Sequence, residues 1–310
     1  MDTYSQIVSF LSGLPEFSIW SEMLTNVQKV ATGNPRQWKL ADIASQAMGR
    51  EPGEALFAMA AMACLHISII LVDDMLDIDP RGEYVYIGAP ATANLALAFQ
   101  AAGMGVIFQS NLLLSSKLAA VEILNWMVQQ TAFGQYLDTH PVVDEASYWR
   151  VVQLKSSPFF GASLFTGALA GGATIEVARQ FLQLGNLYGE IIQIHDDLSD
   201  SLAVPANPDW VQRRASLPIL YATLVDHPDR KRFLSLQQEV IDPKKLNEAQ
   251  IILVHCGAIS YCIDCIRRKH QEALSLLKTI PINNPKPIRA EINALILPVE
   301  KLLDQIEHAG

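Results

Sequence analysis

The run Ile69-Ile70-Leu71-Val72-Asp73-Asp74-Met75-Leu76-Asp77 closes a long apolar stretch with three aspartates. On a helix Asp73 and Asp77 stand one turn apart on one face, because residues at i and i+4 are surface neighbours. Two carboxylates at roughly 6 Å in an effective dielectric of about 20 repel by about 3 kcal/mol, so the cluster, with Asp74 beside it, asks for a cation. The segment Gln193-Ile194-His195-Asp196-Asp197-Leu198-Ser199-Asp200 repeats the Asp-Asp-x-x-Asp spacing after a second, mostly apolar approach. One such triplet reads equally well as a solvated helix end. Two of the same spacing predict two facing acidic rims that share divalent ions. Mg²⁺ is held by one or two carboxylates together with water and substrate phosphate oxygens. The rims therefore predict a diphosphate site, with apolar space between helices left for a hydrocarbon tail. Such a ligand is an allylic diphosphate: the metal ions would act as Lewis acids on the leaving group, and a dry cavity would keep water from the carbocation left behind.

Outward from this segment the pattern stays helical. Residues 4 to 31 carry helical periodicity with a break at Pro15, and Thr32-Gly33-Asn34-Pro35 reads as a turn. A short helix runs to Gly49. Glu51-Pro52-Gly53-Glu54 then starts the long helix into the first aspartates, with proline and acid where a first turn accepts them, and Asp79-Pro80-Arg81-Gly82 ends it. Further helices are expected over Ala89 to Phe108, Asn111 to Asp138, and Asp144 to Ala173, the last kinked at Pro158. The stretch Ile175 to Leu202 carries the second acidic cluster. After a loop with Pro205 and Pro208, helices around Val211 to Leu224, Pro228 to Val240, Asn247 to Leu277 and Pro287 to His308 finish the chain. No alternating run bounded by turn residues suggests a strand, which predicts an all-α fold. No linker or charge run divides the 310 residues, so a single domain over 1–310 is expected.

Composition narrows the function classes. With 50% hydrophobic and 18% charged residues the chain can bury a large core, and its net charge of -9 disfavours nucleic acid and anionic lipid as partners. Four cysteines do not make a disulfide framework, and the N-terminus lacks the basic start of a secretory signal, which points to the cytoplasm. Ala55 to Val72 approaches the length of a membrane span, interrupted only by His66 and Ser68. Its flanks are Glu54 and Asp73 rather than basic or aromatic anchors, so it reads as the buried central helix of a bundle and not as a transmembrane segment.

On these motifs the chain resembles the trans-isoprenyl diphosphate synthase (polyprenyl synthetase) family over most of its length. Asp73-Asp74-x-x-Asp77 is similar to the family's first aspartate-rich motif, and Gln193-x-x-Asp196-Asp197-x-x-Asp200 to the second with its preceding glutamine. Gly134-Gln135-Tyr136-Leu137-Asp138 resembles its Gly-Gln-x-x-Asp, Lys155-Ser156 stands where it has Lys-Thr, and Arg81-Gly82 is similar to the end of its Arg-Arg-Gly. His66, seven residues before Asp73, matches the histidine of its isopentenyl diphosphate pocket. The resemblance implies an isoprenoid-synthase helical bundle around a central apolar cavity, and a homodimer to which Ala89 to Phe108 could contribute. It implies Asp73, Asp77, Asp196 and Asp200 as Mg²⁺ ligands, with Asp74 and Asp197 completing the catalytic aspartates. Lys155 and Arg81 would then touch diphosphate, and His66, Gln135 and Gln193 would bind substrate.

Departures from the pattern bear on the acceptor. The family's Gly-Lys-Arg, which holds the second diphosphate, corresponds to Gly33-Asn34-Pro35, with Arg36 and Lys39 nearby, and Pro80 stands at the first arginine of the later pair. By the same resemblance Gln212-Arg213-Arg214 before Ser216-Leu217-Pro218 is read as a replacement for the family's Gly-Lys, which makes Arg213 and Arg214 candidate diphosphate contacts. The half-site that ionises an allylic diphosphate is complete, whereas the half-site for isopentenyl diphosphate has lost cations. His66, Gln193 and Lys155 favour elongation with isopentenyl diphosphate. Asn34-Pro35 and Pro80 favour a terpene-synthase-like reaction or transfer to another acceptor. A non-catalytic partner subunit is the third reading, and two complete triplets speak against it. If the chain elongates, the small Ser68 does not block the tail, and Ala63, Cys64 and Phe99 are candidates for its floor.

Other features carry less. Cys262-Ile263-Asp264-Cys265, near His255-Cys256, invites a zinc site, but without a second paired motif these cysteines read as small core residues. His195 reads as a packing or hydrogen-bonding group rather than a base. Arg267-Arg268-Lys269-His270 reads as a solvated helix face, and Trp126, Trp149 and Trp210 as core rather than cation-stabilising walls.

Overall fold

The computed structural model describes residues 2–207, 210–211 and 216–299. Among them all regular structure is helical, as the periodicity predicts. The first part of the chain forms α1 (Thr3–Ser12), α2 (Pro15–Ile19), α3 (Ser21–Thr32), a 3-10 turn (Arg36–Lys39), α4 (Leu40–Ala47), α5 (Leu56–Asp77), α6 (Tyr84–Ile87) and α7 (Ala89–Gln109). Then come α8 (Leu114–Asp138), α9 (Glu145–Lys155), α10 (Ser157–Ala170) and α11 (Ile175–Leu202). The rest forms α12 (Leu217–Leu224), α13 (Arg230–Leu236), α14 (Pro243–His255), α15 (Ala258–Leu277) and α16 (Lys286–Ala294). These residues group into two compact units, one of 1–131, 158–186 and 276–290, the other of 132–157, 187–275 and 291 onward.

The first unit is built on α5. Ala58 to Leu65, Ile67 and Leu71 are all buried, so this helix is enclosed by α1, α4 and α7 over its first half. Its alanines let neighbours approach closely, and a β-carbon on Gly103 of α7 would lie 3.0 Å from the Ala61 carbonyl oxygen. Helices α4 and α10 meet backbone to backbone, since a β-carbon at Gly167 would stand 2.0 Å from the Ala41 oxygen. Both α5 and α7 are long and apolar enough to cross a membrane. Helix α5 ends at Ile78, which takes a left-handed conformation (φ 56) while its amide and that of Asp79 both donate to the Asp74 carbonyl. That conformation costs a β-branched residue on the order of 1–2 kcal/mol. Gly82 then lies against the helix, where a β-carbon would come within 2.8 Å of Asp74 Cβ. This tight reversal leaves Asp77 on the final turn.

In the second unit, α9 opens with a capping box in which Asp144 and Ser147 exchange hydrogen bonds. The expected kinked helix over Asp144 to Ala173 is two helices, broken at Ser156. Pro158 falls in the first turn of α10, where its missing N–H removes no helix bond. The helix expected over Asn247 to Leu277 is likewise two, bent by 55° between α14 and α15 at Gly257 (φ 88). Helix α13 is shorter than the Pro228 to Val240 pattern. Helix α16 covers the beginning of the segment expected over Pro287 to His308, of which residues 300–308 lie outside the described residues.

Candidate active site

The first acidic cluster is the last turn of α5. Asp73, Asp74 and Asp77 are all partly accessible, and the i, i+4 spacing sets Asp73 and Asp77 on one face. Burial, with Asp79 and Asp73 adding to it, pushes the Asp74 carboxyl up to about 6 against the opposing pull of Lys29 and Arg81. Arg81 forks onto Asp79, its Nε 3.0 Å from Oδ1 and its Nη2 2.7 Å from Oδ2, while the Arg81 amide donates to Oδ1 at 2.8 Å. These bonds hold the Asp79 carboxyl below its usual range. Arg81 thus sits on a carboxylate two residues away, with its side chain 88% exposed, poised at the surface beside the motif.

His66, two turns before Asp73, belongs to an aromatic cluster. Its Nδ1 accepts from the Trp38 indole at 3.1 Å, and the Gln37 carboxamide lies 2.9 Å from its Nε2. Its ring packs on Phe159 at 5.5 Å between centroids. Burial depresses the imidazole to about 4, so it is neutral at physiological pH.

In the second unit the three aspartates of α11 divide their roles. Asp196 meets solvent yet is crowded by protein, and burial followed by the charge of Asp200 pushes it up to about 6. Asp200 is raised by burial. Asp197 is buried and accepts from Tyr148 Oη at 2.7 Å, from Gln193 Nε2 at 2.9 Å and from the Leu217 amide at 2.8 Å. It ties α9, α11 and the start of α12 together. Gln193 in turn accepts from Ser156 Oγ at 2.5 Å, and Lys155 pairs with Asp138 at 2.7 Å. These contacts bring the Lys155-Ser156 end of α9 against the Gly134 to Asp138 motif on one side and against Gln193 and Asp197 of α11 on the other. Gln135 is buried. Gly134 is there because α8 and α9 touch: a β-carbon would lie 2.3 Å from the Lys155 backbone nitrogen.

Arg213 and Arg214 lie outside the described residues. His195 bonds the Leu295 carbonyl at 2.7 Å, the packing role expected. Cys262 and Cys265 are buried free thiols pushed up by burial, and no cluster of three metal-ligating side chains occurs among the described residues. Lys269 is not a solvated charge, since it pairs with the buried Glu190 at 2.5 Å and lies 4.2 Å above the Trp149 ring. Sequence reasoning missed Tyr148, Trp38 and Gln37. No spacing rule links Tyr148 to Asp197 or Trp38 to His66, because both contacts are tertiary.

The donor sets suit a hard divalent ion that shares its shell with a ligand. Each cluster offers an i, i+4 pair of carboxylates, Asp73 with Asp77 and Asp196 with Asp200, and Mg²⁺ takes one or two carboxylates plus water and phosphate oxygens.

Residues 27–252 match the model of the polyprenyl synthetase family. The chain belongs to this family. It is 28% identical over 251 residues to the short chain isoprenyl diphosphate synthase of Methanothermobacter thermautotrophicus, covering 74% of this chain and 75% of that protein. It is 26% identical over 269 residues to the nonaprenyl diphosphate synthase of Mycobacterium tuberculosis, covering 80% and 79%. In fold it matches the geranylgeranyl pyrophosphate synthetase of Pyrococcus horikoshii with a TM-score of 0.82 at 18% identity, over 94% of this chain and 95% of that one. This polyprenyl synthetase is therefore an enzyme of the prenyltransferase class, and the all-α expectation agrees with that fold.

Proposed function

We propose that this polyprenyl synthetase ionises an allylic diphosphate with Mg²⁺ and joins the prenyl group to isopentenyl diphosphate. The observation that carries this reading is the repeated carboxylate pair, Asp73 with Asp77 and Asp196 with Asp200, in each case beside an aspartate pushed up to about 6 or itself so shifted. Each pair offers hard oxygen donors one helical turn apart, of the kind a divalent ion shares with phosphate oxygens. Mg²⁺ bound there with substrate would supply Lewis-acid pull on the departing diphosphate.

The protein's own side chains do the rest. Lys155, paired with Asp138 at 2.7 Å, is assigned to diphosphate. Arg81 would exchange Asp79 for the same anion. Asp197 and Gln193 hold the acidic end of α11 in place. Ile69, Ile70 and Val72, partly accessible just before the aspartates, supply an apolar approach that excludes water. The allylic carbon leaves its diphosphate oxygen and bonds to the terminal alkene carbon of isopentenyl diphosphate, whose lost proton passes to the released diphosphate. The chain would act as one catalytic domain in the cytoplasm, and as a homodimer. Sedimentation would test that assembly.

A second reading, in which another acceptor takes the prenyl group, is supported by the Thr32–Pro35 turn, where Asn34 is left-handed (φ 50) and no residue is cationic. Incubation with Mg²⁺ and each short allylic diphosphate, with and without isopentenyl diphosphate, separates the two. Longer prenyl diphosphates formed only with isopentenyl diphosphate are expected. Hydrocarbons or cyclic alcohols formed without it would overturn elongation.

A further inference from the structure

We propose that Gln37 contacts the diphosphate of the acceptor as an uncharged donor, and that a Trp38–His66–Gln37 hydrogen-bond relay positions it by locking His66 in one neutral tautomer. This rests on the reading above, in which isopentenyl diphosphate is the acceptor and His66 lies in its pocket.

The lock follows from donor and acceptor inventory. An indole N–H can only donate. Trp38 Nε1 is 3.1 Å from His66 Nδ1, so Nδ1 must be bare. An imidazolium carries a proton on both nitrogens and would set two donors face to face. His66 is therefore neutral, and its single proton is on Nε2. The Gln37 carboxamide nitrogen is placed 2.9 Å from that Nε2. Because the two ends of an amide have the same shape, the hydrogen bond requires the amide turned so that its oxygen accepts from His66. The Gln37 NH₂ then points away from the imidazole with its protons unspent on His66, on a side chain that keeps partial access to solvent.

The surroundings hold this arrangement. Trp38 is fully buried, stands edge-on to the His66 ring at 6.4 Å, and packs against Tyr4 of α1 at 6.3 Å. Phe159 of α10 covers another side of the ring at 5.5 Å. Gln37 and Trp38 of the 3-10 turn and Phe159 of α10, which touch His66, are uncharged. Lys39 lies over the Tyr4 ring at 4.6 Å. Burial acts in the same direction, since it is the one influence on the imidazole and keeps it neutral down to about pH 4. A polar group at this position therefore recognises phosphate oxygens through the amide of Gln37, and not through a histidine cation.

Two measurements test it. The ¹⁵N spectrum of His66 in the full chain should show a bare Nδ1 and a protonated Nε2 from pH 5.5 to 8.5. A protonated Nδ1 at pH 5.5 would overturn the lock. In turnover, the KM for isopentenyl diphosphate divided by the KM for the allylic substrate should stay flat over that range, the titration of the two diphosphates cancelling. A histidine cation of ordinary pKa near 6.5 would change the ratio by up to about 90-fold. Gln37→Ala should raise the acceptor KM by roughly tenfold or more, the fold-change for one hydrogen bond to a charged group, with kcat and the allylic KM held within about twofold. Trp38→Phe removes the indole donor that keeps Nδ1 bare, so the neutral ring should also take the other tautomer, seen as a protonated Nδ1 in the ¹⁵N spectrum; a ring still wholly protonated on Nε2 would overturn the lock. An unchanged acceptor KM in Gln37→Ala would overturn the assignment of Gln37. If wild-type protein consumes no isopentenyl diphosphate at any pH while the ¹⁵N result holds, the acceptor reading fails and the tautomer lock survives it.

Discussion

Asp197 offers the sharpest separation of anchoring from chemistry. It lies inside the second acidic motif, but it is only 4% exposed and is the common acceptor for Tyr148 Oη, Gln193 Nε2 and the Leu217 amide. In Asp197→Ala all three donors lose this partner. A buried donor left without a partner costs about 1–3 kcal/mol. Counting Tyr148 and the Leu217 amide in full and the partly accessible Gln193 in part gives about 4 kcal/mol. With an m-value of about 3 kcal/mol/M, the urea midpoint should fall by roughly 1.3 M. Asp197→Asn should cost less, about 1–2 kcal/mol. Its amide oxygen can keep Tyr148 and the Leu217 amide, and Gln193 can turn its own oxygen toward the new NH₂, at the expense of its bond from Ser156. Urea unfolding followed by circular dichroism on metal-free protein measures both. Tyr148→Phe, which removes one of the three donors, should fall between wild type and Asp197→Ala. If Asp197→Ala unfolds within 0.5 M of wild type, against the roughly 1.3 M shift worked out above, the anchoring role is wrong.

The remaining predictions use the same logic. Asp73→Asn and Asp196→Asn should each abolish metal-dependent diphosphate release while leaving the far-ultraviolet spectrum unchanged; wild-type turnover in either would remove the basis of the metal site. His66, depressed to about 4, is protonated first in the unfolded chain. Its contribution is whole above pH 6.5 and is lost as pH falls toward 4, by at most about 3 kcal/mol. Unfolding of His66→Asn across that window should lack this part of the acid loss, and an identical pH profile would refute it. Gly134→Ala would drive a methyl into the Lys155 backbone at 2.3 Å; rigid backbone cannot yield as a side chain does, so a loss of about 1–3 kcal/mol in denaturant titration is expected. Asn34→Lys places a lysine at φ 50, at a cost on the order of 1 kcal/mol. If the missing cation limits acceptor binding, the KM for isopentenyl diphosphate falls despite that strain, and an unchanged KM means the cation is supplied elsewhere.

Much of this molecule is written locally. Helix α5 and the acidic end of α11 follow from apolar runs and turn residues, because a helix is made of contacts three and four residues apart. For the same reason the sequence alone pairs Asp73 with Asp77 and Asp196 with Asp200 on common faces. Breaks were less legible: Pro158 reads as a kink because spacing does not tell a proline in a first turn from one inside a helix, and Gly257 lies unmarked within an amphipathic run. Only the tertiary structure made Asp197 a buried anchor while its neighbour Asp196 stays accessible, because Tyr148 and Leu217 reach it from 49 and 20 residues away. The same holds for Lys155 on Asp138 and for Trp38 on His66. A period of 3.6 says which side chains share a helix face. Which of them loses its water, and to which partner, depends on the helix that packs against it.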